Sequence, residues 1–227
     1  KTLSLDEIDY FLLPDHVKKF QIETLNCLNI PKHKRLSSEK FRHIEADNLL
    51  VTDHPVMVSG DATKDTKNVP NWISKWLKDS FLNKKENNSE KNKKNFYIDR
   101  NDNSKNQQAE RSISNENEVK KYLLNNNFIS VKLHDINFIE QVNLFNNAEC
   151  IVGLHGGGFA NIVFCKPGTK IVELRSTHAG PPIENLAKKN NLNYNSITME
   201  SEKTEKYNYR NQQGAIEVPI KDLNKIL

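Results

Sequence analysis

The chain has 227 residues, 33 basic against 29 acidic, and a formal net charge of +4. That length suits one large domain or two small ones with a buried core, and no apolar run approaches the ~20 residues of a membrane-spanning helix. Only six of the basic residues are arginines (35, 42, 100, 111, 175 and 210); the lysines stand among asparagines without interleaved aromatic residues, the pattern of a solvated surface and not of a groove for single-stranded nucleic acid.

The chain opens without methionine and in mid-pattern, so a piece of a longer protein is expected. After Pro14, residues Val17, Phe20, Ile22, Leu25 and Leu28 recur at roughly helical spacing and predict a first helix. Residues 48–52 and 56–58 read as two short strands flanking Asp53-His54-Pro55, a triplet typical of turns. Val69-Pro70-Asn71 opens a helix whose stripe of Trp72, Ile73, Trp76, Leu77 and Phe81 predicts a core helix with both tryptophans packed inward. Residues 83–95 carry no apolar side chain until the following strand. They read as a linker or loop separating a partial N-terminal α/β domain, 1–82, from a second domain, 96–227.

From residue 96 the texture alternates. Extended segments are expected at 96–99, 128–133, 150–154 and 170–174, and helices at 115–126, 138–147 and 159–164. Such a series predicts a parallel sheet with helices on its faces, right-handed crossovers, and a ligand crevice at the carboxyl ends of the strands. Arg100, His155 with the glycines after it, and Glu173 with Arg175 all fall at those ends. Arg111 precedes a helix start at Ser114 or Asn115, with Glu116 in the first turn. Cys27, Cys150 and Cys165 are far apart in apolar surroundings, which suits reduced core thiols in a cytosolic protein.

The centre of this pattern is Gly153-Leu154-His155-Gly156-Gly157-Gly158-Phe159. Three successive glycines imply a loop that needs positive φ or a ligand that must touch bare backbone, and the amides opening the next helix would form an anion site. A phosphate-binding P-loop is excluded, because Phe159-Ala160 stands where Lys-Ser/Thr is required. A dinucleotide fingerprint is a poor match, since Asn161 replaces its third glycine. The His-Gly-Gly-Gly oxyanion loop of α/β-hydrolases is the remaining rival, but no serine has glycine two residues away on both sides, so the nucleophile elbow is missing.

With these residues in place, the region from about 96 to 195 resembles glycosyltransferase family 61. The resemblance rests on Arg100 after a strand, Arg111 ahead of a helix beginning at Asn115-Glu116, and the apolar helix 138–147. It continues through His155-Gly156-Gly157-Gly158, Asn161, Pro167-Gly168-Thr169 and Glu173 on the next strand. Two departures stand out: Gly157 replaces the alanine of the family's loop, and Glu110-Arg111 replaces a doubled arginine.

The resemblance implies a GT-B-like architecture, with a Rossmann-like parallel sheet in the C-terminal domain binding the nucleotide-sugar and a partial N-terminal α/β domain on the acceptor side. It implies inverting transfer of a sugar, UDP-linked, to a hydroxyl of a glycan or lipid-linked glycan. The donor-binding set it implies is Arg100, Arg111, Asn115, Glu116, His155, Gly156, Gly157, Gly158, Asn161 and Glu173, with Glu173 on the ribose and His155 also a catalytic candidate. No Asp-x-Asp occurs, so no metal or other cofactor is expected. The expected setting is surface-polysaccharide synthesis in the cytoplasm, with peripheral contact at the inner membrane face and no nucleic-acid partner. A non-catalytic nucleotide-sugar-binding module is the alternative, ahead of a hydrolase.

Overall fold

The computed structural model describes residues 4–52, 58–82, 94–100, 111–201 and 214–227. The chain forms two compact units, Lys1–His54 with Asn137–Ile139, and Pro55–Ile136 with Glu140–Leu227.

The first unit is built on a minimal βαβ: strand β1 (Phe11–Leu13), helix α1 (Lys19–Cys27) and strand β2 (Arg35–Ser37). The two strands pair in parallel, Phe11 opposite Arg35 and Leu13 opposite Ser37. Asn29, at φ 56°, takes the left-handed conformation after α1, and Arg35 ties the turn by donating to Ile30 O (2.9 Å) and Asn26 Oδ1 (2.7 Å). The helix falls where its periodicity predicts, but Val17 and Phe20 of the stripe are exposed. No strand forms at 48–52, contrary to expectation. Leu49, Leu50 and Val51 stand exposed there without a ladder partner among the described residues, and β-propensity alone does not hold a strand. Residues 53–57, with Asp53 and most of the second expected strand, lie outside the described residues.

The second unit begins with α2 (Ala62–Asp65) and α3 (Asn71–Phe81), and continues through β3 (Lys94–Ile98), β4 (Arg111–Ile113), α4 (Glu116–Asn125), β5 (Phe128–Val131) and, from Glu140 onward, α5 (Phe138–Asn146). There follow β6 (Ala148–Leu154), a 3-10 helix (Gly157–Phe164), β7 (Lys170–Ser176), α6 (Pro182–Lys189), β8 (Asn193–Met199), β9 (Gly214–Ile216) and α7 (Ile220–Ile226). The main sheet is entirely parallel with strand order β5-β3-β6-β7-β8. Chain progression reverses at β3, so the two strands that follow on either side of it part company between β3 and β6. Crevices in open α/β sheets form at the carboxyl ends of such a pair.

Alternation along the strands assigns the two faces of the sheet. Tyr97, Val152, Val172 and Leu174 pack with Val119 and Leu123 of α4, Leu223 of α7, and the short ladder β4-β9. Phe96, one residue from Tyr97, meets Phe145 of α5 edge to face at 5.1 Å between ring centroids. The 3-10 helix is anchored by Phe164 against Phe81 of α3 (6.1 Å), and Lys78 of α3 donates to the Cys165 carbonyl (3.2 Å). These contacts place α3 in the second unit. The 83–95 run is outside the described residues as far as 93, and Lys94 and Asn95 already belong to β3. The protein is thus a mixed α/β fold with parallel sheets, compatible with a Rossmann-like glycosyltransferase.

Two other expectations need correction, the burial of the tryptophans and the form of the short helix after the glycines. Trp72 and Trp76 are exposed (60% and 48%), because α3 turns Ser74 and Phe81 inward and the tryptophans stand on its outer side. The short helix after the glycines is 3-10 and starts earlier, at Gly157. All three cysteines are free; burial pushes the Cys150 thiol up to about 11 and that of Cys165 up to about 12. Among the described residues no helix is long and apolar enough to cross a membrane.

Candidate active site

The glycine loop leaves β6 at the carboxyl end of the sheet. The ladder runs one residue past the strand, His155 N–H donating to Leu174 O (2.8 Å), and the first 3-10 bond is then Phe159 N–H to Gly156 O (3.1 Å). The amides of Gly157 and Gly158 precede that bond and so have no acceptor within the helix. None of the three glycines takes a left-handed φ, which removes the first of the two reasons expected for the run and leaves the second, a ligand touching bare backbone; Gly156 is fully extended at φ 166°.

Space explains two of them. A Cβ on Gly156 would lie 3.1 Å from Arg100 Nη1 and 3.4 Å from its Cζ, so the guanidinium occupies the volume a side chain would take. A Cβ on Gly158 would lie 3.0 Å from Leu133 Cδ1 and 3.3 Å from Ile98 Cγ2. Gly157 has nothing within 4 Å and is exposed, leaving its backbone open to a ligand. Arg100 follows β3 and donates through Nη1 to His155 O (3.2 Å), so the arginine and the glycine loop meet at the β3/β6 switch point.

The imidazole of His155 is nearly buried, and Glu173 is completely so. His155 Nδ1 hydrogen-bonds Glu173 Oε1, while Tyr194 of β8 donates its hydroxyl to Glu173 Oε2. Arg175 Nη1 lies 3.7 Å from the same Oε2 and donates to the Tyr194 hydroxyl at 3.3 Å. Its Nη2 is spent on the carbonyls of Ala179 and Gly180. The register explains the group: Glu173 lies opposite Gly153, whose missing side chain leaves room for Phe159 packed at 3.1 Å from the Cβ position. Burial raises the Tyr194 hydroxyl to about 12, and the Glu173 carboxylate adds to the shift. A ribose could reach Glu173 only by displacing these partners.

His155 also lines a small cleft with Arg111, Leu154, Ser176 and Ala179, whose ≈10 Å³ is about room for one water. The Ser176 hydroxyl is buried there with no hydrogen-bond partner among the described residues. Arg111 reaches this site from β4, paired with Gly214 of β9, a strand that sequence reasoning missed.

Other expected donor residues are tied inward. Asn115 does not cap α4 through its side chain; the amide exchanges two hydrogen bonds with the backbone of Val218 (2.9 Å each). Glu116 accepts from Tyr97 Oη (3.0 Å) and pairs with Lys120 (3.2 Å), which also bridges to buried Asp99 (2.9 Å). Asn161 donates to Gln141 (3.0 Å). These three are placed as supports of α4 and of the 3-10 helix, whereas Arg100, Arg111, His155 and the glycines gather at the strand ends. Tyr194 and Ser176 were missed, since they stand on strand residues beyond the segment read for chemistry.

The family model for Glycosyltransferase 61 matches residues 10–172, well over half of the chain. The chain belongs to glycosyltransferase family 61. The matched span of this transferase includes Arg100, Arg111 and the whole glycine loop, and stops one residue short of Glu173. No curated protein gives a significant match.

Proposed function

We propose that this transferase moves a glycosyl unit, with inversion, from a nucleoside-diphosphate sugar to a hydroxyl, and that the donor diphosphate lies on Gly156–158 beside Arg100. The observation that carries this reading is the meeting of Arg100 with Gly156 and the His155 carbonyl at the β3/β6 switch point, next to the open Gly157 backbone. Helix-opening amides and a planar guanidinium fork are the groups that suit a diphosphate. Arg111 adds a second cation across the cleft that His155 lines. Charge on the departing diphosphate is met by these groups, so the reading requires no divalent cation.

In the transfer, the acceptor oxygen bonds the anomeric carbon as the bond from that carbon to the phosphate oxygen breaks. The nucleoside diphosphate leaves with the electron pair, and the hydroxyl proton passes to His155. A UDP-linked donor, a glycan or lipid-linked glycan acceptor, and surface-polysaccharide synthesis at the cytoplasmic membrane face complete the proposal.

The test is a panel of nucleoside diphosphates and their sugars, scored first by thermal stabilisation and then by product mass and anomeric configuration. UDP and one UDP-sugar should stabilise the folded chain by mass action, with an inverted product once an acceptor is supplied. A chain that no nucleotide stabilises would overturn the donor site, and binding without turnover on any acceptor would favour a binding module.

A further inference from the structure

The buried group behind His155 does more than fill the space between β6 and β8. A carboxylate with no solvent exposure receives hydrogen bonds from two side chains of different character, an imidazole and a phenol. Deep burial of a carboxylate is costly unless every lone pair is matched, and here the donors are set by the strands themselves. Glu173, Tyr194 and His155 project from neighbouring strands or their ends, β7, β8 and β6. Arg175, two residues along β7, donates to the phenol and stands near the carboxylate. With its hydroxyl shifted up to about 12, Tyr194 keeps its proton at neutral pH and remains a donor.

The consequence falls on the imidazole. With one ring nitrogen turned to a carboxylate, which accepts only, that nitrogen must carry a proton. The His155 ring makes its hydrogen bond through Nδ1, and His155 lines the cleft shared with Arg111 and the Ser176 hydroxyl, which has no partner among the described residues. The charged groups around it are Glu173 and Arg175 from β7, Arg100 after β3 on its own carbonyl, and Arg111 from β4.

We infer that Glu173 is a positioning residue: braced by Tyr194 and Arg175, its carboxylate keeps the proton of His155 on Nδ1 and so presents Nε2 as the proton acceptor in the cleft. A carboxylate in this place fixes ring orientation and tautomer and compensates the imidazolium formed once the proton is taken. The inference deepens the proposed transfer and rests on it for the meaning of the proton acceptor. It assigns to Glu173 an action through His155 in place of direct contact with the nucleotide.

The test is nitrogen-15 spectroscopy of histidine-labelled full chain at pH 8, with His155→Gln identifying the resonances. The wild-type chain should show a protonated Nδ1 and an unprotonated Nε2 at His155. Glu173→Leu, close in volume and without an acceptor, should abolish that preference while UDP affinity by calorimetry changes less than about threefold. A proton on Nε2 in the wild-type chain overturns the inference, and so does a tautomer unchanged in Glu173→Leu. Should that variant not fold, the wild-type spectrum still decides, and Tyr194→Phe provides a milder perturbation of the same brace. Turnover separates the two proposals: His155→Gln and Glu173→Leu should each lower kcat by about 10²-fold and the double variant little further. The inferred tautomer together with wild-type turnover in His155→Gln would uphold the positioning and remove His155 from the chemistry.

Discussion

Alanine placed at each of the three successive glycines should give three different outcomes, because each glycine is required for a different reason or for none that concerns the fold. At Gly158 the new Cβ would stand 3.0 Å from Leu133 Cδ1 and 3.3 Å from Ile98 Cγ2. The leucine methyl can swing away, but Ile98 is buried in β3 with a branched, stiff side chain. Overpacking of this kind costs about 1–3 kcal/mol, offset by roughly 0.4–1 kcal/mol from the less flexible unfolded chain. A net loss near 1 kcal/mol should lower Tm by about 2–4 °C in a protein of this size. At Gly157 nothing lies within 4 Å and φ is not left-handed, so Gly157→Ala should leave Tm unchanged or slightly raised. If the diphosphate lies on that backbone, the same variant weakens UDP binding. At Gly156 the obstacle is the far end of a flexible arginine, Nη1 at 3.1 Å, so Gly156→Ala should fold well yet displace the guanidinium and weaken UDP binding also. Thermal unfolding and calorimetry on the three variants give six numbers. Stability lost at Gly157 but not at Gly158 would refute the packing argument, and wild-type UDP affinity in Gly157→Ala would remove the diphosphate from the loop.

Two further outcomes concern groups away from the cleft. Asp65 accepts from the amides of Val58 (2.9 Å) and Ser59 (2.8 Å), and although burial pushes its carboxyl up, these bonds hold it below the ordinary 3.8. A depressed folded value means stability that is present above pH ~4 and lost as pH falls through that folded value. Asp65→Asn should therefore lower Tm at pH 7 and show a shallower acid limb, and an unchanged limb in urea unfolding would contradict it. Cys150 and Cys165, buried and with thiols shifted up to about 11 and about 12, should resist an aromatic disulfide reagent at pH 7.5 in the native chain, whereas half-exposed Cys27 reacts; rapid labelling of more than one thiol would contradict the placement.

Much of the second unit was readable from periodicity. The strands at 96–99, 150–154 and 170–174 and the helices at 115–126 and 138–147 appear within a few residues, because buried parallel strands and amphipathic helices leave continuous or periodic apolar signals. What escaped depends on partners remote in sequence. Arg111–Ile113 looked like the approach to a helix, and it is a strand only because Gly214–Ile216 pairs with it. Leu49-Leu50-Val51 has the composition of a strand and finds no neighbour to pair with among the described residues. The place of the glycine run after β6 was legible, but the packing around it was not: the close approach of the Arg100 guanidinium to Gly156 depends on β3 and β6 being adjacent, which no local pattern states. The same holds for Glu173, a carboxylate on an apolar strand that reads equally as a ligand group or as the brace of a histidine 18 residues away.

The arginine after β3 offers the sharpest distinction between charge and shape at this site. Arg100 spends one nitrogen on the His155 carbonyl at 3.2 Å, and its guanidinium lies over Gly156 with donors that bond nothing else among the described residues. Lysine in this place has a single donor tip on a flexible stem. That tip can hold the loop carbonyl or meet a phosphate oxygen, and it cannot reproduce both with the planar geometry of the fork. Losing one hydrogen bond to a charged group is worth about 1.5–3 kcal/mol, so Arg100→Lys should weaken UDP binding by roughly 10- to 150-fold although net charge is conserved. Because the side chain is only half-buried and the main sheet does not depend on it, Tm should stay within about 2 °C. A nucleoside, which lacks the diphosphate, should bind both proteins alike if Arg100 acts on phosphate. Equal UDP affinity in Arg100→Lys would mean that position needs charge alone or no contact, and an equal loss for the nucleoside would trace the effect to a disturbed loop instead of a lost phosphate contact.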